Sequence, residues 1–335
     1  MADNFSFWFL AFPDINRPIG GIKQIHRIAE SLMSLSFQVH IVQDNSSFKP
    51  DWFSSDVIAV SKAEFFAKTD LLPSNDIIVL PETYYPIFLS VFPEIKKIIL
   101  NQNGAFSFGI KGNLWRPSDV LLSYNHPSII QIWCVSKHDL SLIVDCFNVP
   151  CNKVFLLING IETDQAFLPQ NAVKKYQIAY MPRKNSRDSE IVSSFLAQQS
   201  ILKGWRLQAI ENLDHCSVIK VLQESLVFLS FGHPEGFGLP VAEAMACGCS
   251  VIGYTGLGGR ELFEIGEKYN FAHKVEFGDW TGFLQGILSF KLLLDDSPEV
   301  YVSAARALSN EIRSIYNPIE MSNSIRKAVA SISIE

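Results

Sequence analysis

A short glycine-rich segment in the second half of the chain carries two glutamates that could take part in chemistry. It reads His-Pro-Glu-Gly-Phe-Gly-Leu-Pro-Val-Ala-Glu over residues 233–243, directly after the apolar run 226–230. The run predicts a buried strand, and Pro240 suits the first turn of a helix, where its missing N–H is harmless. Gly236 and Gly238 would let backbone N–H groups approach a ligand at the helix N-terminus. The segment therefore predicts an anion site suited to a phosphate or diphosphate.

The two glutamates of this segment, Glu235 and Glu243, lie in the predicted loop and in the first turns of the predicted helix. At this separation they are better suited to accept hydrogen bonds from hydroxyls at two ends of one ligand than to form an acid–base pair. The alternative is that Glu243 only complements the positive end of the helix and Glu235 is a solvated loop residue. The neighbouring glycines, the proline and the preceding strand favour the binding interpretation.

Apolar runs alternate with helical patterns along most of the chain, and this alternation predicts the frame around the glycine-rich segment. Apolar spacings of three and four over residues 22–32 predict a helix with one buried face. The predicted strands are 5–12, 39–42, 57–60, 77–80, 98–100, 132–135, 177–181, 205–210, 226–230 and 250–254. Strands that alternate with helices are typical of parallel sheets covered on both faces. The predicted fold class is α/β, with two Rossmann-like, doubly wound domains.

A turn dipeptide, Asn159 and Gly160, precedes a polar stretch at 164–175 and marks the predicted change of domain. We predict a first domain over 1–170, a second over 171–310, and a terminal helix within 311–335 that could pack back on the first domain. Two doubly wound halves imply a cleft between them, and ligands of such sheets lie beyond the carboxyl ends of the strands.

The composition excludes several classes of protein. Of 335 residues, 48% are apolar, which excludes a mainly disordered chain. The net charge of −6 gives no sign of the overall positive charge that a nucleic-acid-binding protein would carry. The six cysteines show no metal-ligand spacing, so we predict free thiols in a reducing compartment and no metal site.

The hydropathy pattern predicts a cytoplasmic protein. No window reaches the roughly 18 uninterrupted apolar residues of a membrane span, and the apolar start lacks the flanks of a signal peptide. Peripheral contact with a membrane stays an open alternative, because an apolar and basic cluster could touch lipid or a partner instead of packing in the core. The cluster consists of Phe106, Phe108, Lys111, Trp115 and Arg116.

The segment 234–248, followed by 250–252 and 256–262, resembles the donor-binding signature of retaining GT-B glycosyltransferases of the large group 1 family. Looser matches lie at 135–137 and 159–162. The resemblance implies a GT-B fold, with an acceptor-side first domain and a donor-binding second domain. It also implies that a sugar moves from a nucleoside diphosphate sugar to the hydroxyl of a glycan, lipid-linked or other acceptor, with its anomeric configuration retained.

The resemblance assigns roles to the residues that match the signature. Glu235 would contact hydroxyls of the transferred sugar, and Glu243 would bind the ribose hydroxyls. The backbone N–H groups beside the sugar would be those of Gly236, Phe237 and Gly238. Gly20 and Gly21, a turn after the first strand, would bring the first domain's backbone to the donor diphosphate.

The departing diphosphate needs positive charge, because the sequence shows no metal-ligand set and predicts no cofactor. Arg183 and Lys184 follow the first strand of the second domain, and both side chains suit phosphate oxygens. Family members often place the two cations several residues apart, so Arg183 is favoured while the choice between Lys184 and Arg187 stays open. The alternative is a solvated charge cluster in a loop.

The first domain departs from the family where related enzymes commonly offer a histidine. Asn101 and Asn103 stand there instead, and amides can bind a hydroxyl but cannot act as a general base. His126 is the nearest replacement, with a simple turn residue as the alternative, and Glu82 at the end of another strand is a further acceptor-side candidate. Without a base, a front-face route in which the leaving phosphate accepts the proton fits the sequence.

Two other functions stay open at the level of sequence. A GT-B sugar-nucleotide epimerase would release free nucleotide without any acceptor. A non-catalytic nucleotide-sugar binding protein is favoured slightly by the amides that replace the histidine.

Overall fold

The computed structural model describes residues 5–84, 87–110 and 112–332. Lys111 of the apolar and basic cluster named above lies outside these ranges. Two compact units make up the chain. Unit 1 contains Met1–Gly160 together with Pro318–Glu335, and unit 2 contains Ile161–Asn317.

The strands are numbered in chain order. They are β1 Ser6–Leu10, β2 Gln38–Gln43, β3 Ile58–Ser61, β4 Asp76–Pro81, β5 Lys96–Asn101, β6 Gly109–Ile110, β7 Asn113–Leu114, β8 Ile129–Cys134, β9 Val154–Leu156, β10 Lys175–Tyr180, β11 Arg206–Ala209, β12 Ser225–Ser230, β13 Ser250–Gly253 and β14 Ala272–Lys274.

The helices are numbered in the same way. They are α1 Gly20–Ser34, α2 Lys62–Phe66, α3 Pro117–Tyr124, α4 Lys137–Ser141, α5 Ser186–Ala197, α6 His215–Glu224, α7 Leu239–Ala246, α8 Arg260–Glu267, α9 Trp280–Asp296, α10 Pro298–Ile315 and α11 Pro318–Val329.

Each unit is built on one parallel sheet. In unit 1 the strand order is β3-β2-β1-β4-β5-β8-β9, and in unit 2 it is β11-β10-β12-β13-β14. Every residue of β4 and of β12 is buried, as expected for strands covered on both faces. The prediction of two parallel-sheet α/β domains is confirmed. The short β6–β7 pair is a separate antiparallel ribbon.

Helix α1 follows its predicted pattern, since it buries Ile25, Ile28, Ala29 and Leu32 on one face. The terminal segment, predicted as helical, contains two helices. Pro318 begins the second of them, because proline cannot continue a helix from its interior but suits its first turn. Helix α10 packs on α7 within unit 2, and α11 packs on α1 within unit 1.

The predicted boundaries at residues 170 and 310 both fall inside unit 2. The stretch that follows Gly160 is held by the end of α10: Ile161 N–H donates to Tyr316 O at 3.2 Å, and Arg313 Nη2 donates to Thr163 O at 3.0 Å. Its polar composition indicated a linker, but its backbone hydrogen bonds place it in unit 2. Among the described residues, no helix is both long enough and apolar enough to cross a membrane.

Candidate active site

The glycine-rich segment lies where β12, the central strand of the unit 2 sheet, gives way to α7. Gly238 precedes the helix with a φ of 94°, in the left-handed region that glycine adopts without strain. Pro240 stands in the first turn of α7. The sequence therefore places a helix N-terminus at the carboxyl end of a buried parallel strand, as the motif predicted.

Glu235 is held by a second glycine-rich loop, which follows β13. Its N–H donates to Gly256 O at 2.8 Å, and its own carbonyl accepts from Gly258 N–H at 3.1 Å. A Cβ on Gly258 would lie 1.8 Å from Gly236 O, and one on Gly256 would lie 2.5 Å from the Glu235 Cβ. The glycines at 256 and 258 therefore let the two loops interlock and fix the backbone that carries Glu235.

Lys184 is the cation that the structure brings to Glu235. Its Nζ lies 2.8 Å from Glu235 Oε2 and donates to Pro234 O at 3.2 Å. The next residue, Asn185, adopts a left-handed φ of 51°, and its Nδ2 donates to Phe231 O and His233 O at 2.7 and 3.0 Å. These contacts fasten the turn after β10 to the loop after β12.

The other two cations differ in their surroundings. Arg183 is exposed in the turn after β10, with no ion pair or hydrogen bond to any described residue. Arg187 lies on α5 beside a shallow groove lined by Phe195 and Trp280, a groove that contains neither glutamate of the motif. Of Lys184 and Arg187, which the sequence could not separate, the structure brings Lys184 to the glycine-rich loop.

His233 forms a stacked aromatic pair with Phe277 next to this loop. Its ring stacks on Phe277 at a centroid distance of 4.4 Å, and Phe277 itself is 56% exposed. Partial burial lowers the pKa of His233, which favours the neutral ring near neutral pH. In the sequence, only the position of His233 directly before the motif indicated that it could belong to the site.

Glu243, on α7, is paired with a histidine that the sequence analysis did not single out. His215 begins α6, and its Nε2 lies 3.2 Å from Glu243 Oε1. On its other side Nδ1 lies 3.3 Å from Glu162 Oε2. No local sequence pattern predicts these contacts, because Glu162, His215 and Glu243 come from separate segments of unit 2.

In unit 1, Gly20 and Gly21 are the first two residues of α1, where the sequence predicted a turn before the helix. Gln102, at the carboxyl end of β5, packs against this turn: its Nε2 donates to Gly21 O at 2.9 Å. A Cβ on Gly21 would lie only 3.1 Å from Gln102 Oε1. Gln102 is a contact that the sequence analysis missed, although both its neighbours were candidates.

Those two neighbours have structural partners within unit 1. The Asn101 side chain is fully buried, and its Nδ2 donates to Ser107 Oγ at 2.9 Å and Tyr124 OH at 2.7 Å. Asn103 is also buried, and its Oδ1 accepts from Ala105 N–H at 3.1 Å to cap a short turn. Both amides therefore contribute to the packing of unit 1, and their role toward the acceptor stays a prediction.

His126 is a turn residue, in agreement with the alternative interpretation of the sequence. Its Nδ1 lies 2.8 Å from Ser128 Oγ and accepts from Ser128 N–H at 3.2 Å. It precedes β8 and so lies at the amino end of that strand, whereas Glu82 and Gln102 lie at the carboxyl ends of β4 and β5. In a parallel sheet these are opposite edges, so the structure does not bring His126 together with Glu82 and Gln102.

Glu82 lies buried at the carboxyl end of β4. Its Oε2 accepts from Gln102 N–H at 3.1 Å, and burial raises the pKa of its carboxyl group to about 8. The carboxyl group therefore holds a proton at neutral pH. Among the described residues, no group of three or more His, Cys, Asp and Glu side chains is arranged to hold a metal ion.

The raised pKa of Glu82 gives the stability of the protein a defined pH dependence. Between pH 4.5 and 8 the unfolded chain releases a proton that the folded protein keeps, so the free energy of unfolding falls as pH rises through this window. We expect Glu82→Gln to remove a slope of up to about 1.4 kcal/mol per pH unit in urea unfolding. Asp56→Asn, an exposed carboxyl in unit 1, should leave the wild-type slope unchanged. Parallel slopes for Glu82→Gln and the wild type would contradict the assignment.

Comparison with known proteins agrees with this architecture. Over 98% of its length the chain matches the crystal structure of a glycosyltransferase from Rickettsia africae ESF-5, at 13% identity, a TM-score of 0.68 and 97% coverage of that chain. It matches TarM at 9% identity and a TM-score of 0.68, with 98% of each chain covered. The chain has the GT-B fold.

Sequence comparison adds family information for part of this GT-B chain. Residues 202–307 match the family model of the group 1 glycosyl transferases, a range that contains β12, α7, β13 and α8. An α-1,6-glucosyltransferase from Actinobacillus pleuropneumoniae serotype 7 (strain AP76) is 28% identical over 215 residues, or 62% of this chain. The chain spans 59% of the length of that curated relative. The family match supports the resemblance drawn from the glycine-rich segment.

Proposed function

We propose that this GT-B chain is a retaining glycosyltransferase, which moves a sugar from a nucleoside diphosphate sugar to an acceptor hydroxyl in glycan or glycoconjugate synthesis. The observation that carries the proposal is the Lys184–Glu235 pair, fixed beside a helix N-terminus by two interlocked glycine loops. A carboxylate that accepts from sugar hydroxyls then stands next to a cation that binds phosphate oxygens.

The donor would be held by groups from both ends of the motif. Glu235 accepts from hydroxyls of the transferred sugar, and Glu243 accepts from the ribose hydroxyls. Lys184 and Arg183 compensate the diphosphate charge, which grows as the bond to the sugar breaks. The backbone N–H groups of Gly236, Phe237 and Gly238 complete the donor contacts proposed for unit 2. The proposal includes no metal ion or cofactor, because the cationic side chains supply the charge.

A front-face step accounts for the acceptor chemistry. The bond from the anomeric carbon to the phosphate oxygen breaks, a bond to the acceptor oxygen forms on the same face, and the acceptor proton moves to the departing phosphate. The step needs no base from the protein, because the departing phosphate accepts the proton. The nucleoside diphosphate leaves with the proton.

A thermal-shift panel tests the proposal. UDP, GDP, ADP and their glucose conjugates are the first ligands, since the curated relative is named a glucosyltransferase. A nucleotide at 100 times its Kd should stabilise the fold by about 2.7 kcal/mol. If none of these nucleotides raises the melting temperature, the donor site is wrong. Release of free nucleotide from a sugar nucleotide without any acceptor would favour the epimerase alternative.

Arg183→Ala should weaken diphosphate binding more than nucleoside binding. Its guanidinium is exposed and has no partner among the described residues, so its loss removes a charge-assisted bond to phosphate and little else. We expect about a 10-fold loss of nucleoside diphosphate affinity and almost none for the nucleoside in calorimetric titrations. Arg206→Ala, an exposed arginine on β11, is the matched control. Equal losses for both ligands would reject the role.

A further inference from the structure

His215 lies between carboxylates from two other segments of unit 2. Its Nε2 is 3.2 Å from Glu243 Oε1, and its Nδ1 is 3.3 Å from Glu162 Oε2 and 3.2 Å from Gln165 Oε1. All three side chains are mostly buried, with 23% of His215, 23% of Glu162 and 16% of Glu243 exposed. The ring therefore connects the segment after residue 160 to α7.

The position of this ring is fixed at both ends of α6. At the N-terminus the Asp214 side chain caps the helix by accepting from Ser217 N–H at 3.0 Å, so that α6 begins at His215. Near the C-terminus Gln223 Nε2 donates to the carbonyls of Gln165 and Phe167, both at 3.2 Å. The helix thus holds both the imidazole and the segment that carries Glu162.

The hydrogen-bond partners of the ring indicate what it does. The atoms that face it are carboxylate or amide oxygens, which accept. Because a carboxylate oxygen only accepts, the N–H at Nε2 donates to Glu243 Oε1 at 3.2 Å. Glu243 uses Oε1 for this contact, while its Oε2 has no hydrogen-bond partner among the described residues. His215 therefore orients the Glu243 carboxylate and leaves one of its oxygens for a ligand.

We propose that His215 is a positioning residue for ribose recognition, which holds Glu243 so that Oε2 accepts from the 2′- and 3′-hydroxyls of a ribonucleotide. This inference rests on the proposed function, because it takes Glu243 as the ribose contact. It deepens that function, since it makes the preference of the site for ribonucleotides depend on a residue that never touches the ligand. Glu162 acts through His215: its carboxylate contacts Nδ1, the ring nitrogen on the side away from Glu243.

The test compares ribonucleotides with analogues that lack the two hydroxyls. Wild type, His215→Ala and His215→Gln are titrated with UDP, GDP and ADP and with their 2′,3′-dideoxy counterparts. We expect the wild type to prefer the ribose form of its nucleotide by about 10-fold or more, the value of one or two hydrogen bonds to a carboxylate. His215→Ala should reduce this preference to about twofold and leave dideoxynucleotide affinity nearly unchanged. His215→Gln, which keeps one N–H donor, should recover part of the preference.

Two further variants separate positioning from folding. Cys216→Ala changes the exposed neighbour of His215 on α6 and should retain the full preference. Glu243→Ala should lose the preference, and His215→Ala added to it should lose nothing more, because a residue that acts through Glu243 has no effect without it.

The possible failures are distinguishable. If His215→Ala weakens ribose and dideoxy forms equally, or leaves the preference intact, the positioning role is overturned while the donor site stands. If the wild type binds none of the six nucleotides, the proposed function fails, and the role of His215 fails with it.

Discussion

Replacing Glu235 by glutamine should lower kcat for sugar transfer by about 10²–10³-fold, the effect of removing one preorganised electrostatic group. Glutamine keeps the volume of the side chain but removes the charge that faces Lys184 at 2.8 Å. It also exchanges an oxygen acceptor of sugar hydroxyls for an amide that is a poorer one. Nucleoside diphosphate affinity should change by less than about threefold, because the proposed contacts of Glu235 itself are with the transferred sugar and Lys184 keeps its charge.

Transfer and binding are measured separately for this variant. Initial rates report kcat with a sugar nucleotide and acceptor, and calorimetry reports the Kd of the nucleoside diphosphate. Glu264→Gln, an exposed glutamate on α8, is the matched control and should behave as the wild type. A Glu235→Gln protein that transfers sugar at the normal rate would show that Glu235 plays no part in the reaction.

The second large effect is on stability: Gly258→Ala should lower the free energy of unfolding by about 3 kcal/mol, the upper range for forcing extra atoms into a packed site. The new Cβ would lie 1.8 Å from Gly236 O and 2.3 Å from Gly236 C. Both obstacles are backbone atoms, so no side-chain rotation relieves the clash. One of the two interlocked loops must move, and Glu235 moves with it because its carbonyl accepts from Gly258 N–H.

Gly204→Ala is the matched control for this substitution. Gly204 has a φ of 91° and open space around its missing Cβ, so its replacement costs only the backbone strain of about 1–2 kcal/mol. Urea unfolding of both variants measures the difference. If Gly258→Ala is no less stable than Gly204→Ala, the interlocking of the two loops does not depend on close backbone approach.

The alternation of strands and helices could be predicted from sequence, because strands that are buried on both faces of a sheet consist of short runs of apolar residues. The apolar run at 226–230 corresponds to β12, Ser225–Ser230, and the run at 77–80 corresponds to β4, Asp76–Pro81. β14, Ala272–Lys274, was missed: it has three residues and includes a histidine and a lysine. The predicted boundaries differ from the unit boundary because it depends on hydrogen bonds between distant residues, such as the Arg313 side chain and the carbonyl of Thr163, which are 150 positions apart.

The candidate site also has one part that local sequence could predict and one part that it could not. The neighbourhood of Glu235 could be predicted because a strand, two glycines and a helix N-terminus follow one another within one segment. His215 could not, because Glu162 and Glu243 reach it from distant parts of the sequence. The contacts of Asn101 were missed for a related reason: its position at the end of β5 is visible in the sequence, whereas the Tyr124 hydroxyl that its amide contacts is not.

Because α11 packs on α1, unit 1 is assembled from two separate stretches of the chain, one before and one after unit 2, whereas unit 2 is one continuous stretch. On the ribosome, domains generally fold in the order in which they are made. Most of unit 1 is synthesised before unit 2, but the face of α1 on which α11 packs stays uncovered until Pro318–Val329 has left the exit tunnel. All elements of unit 2 have been synthesised by then, so unit 2 can complete its fold before unit 1.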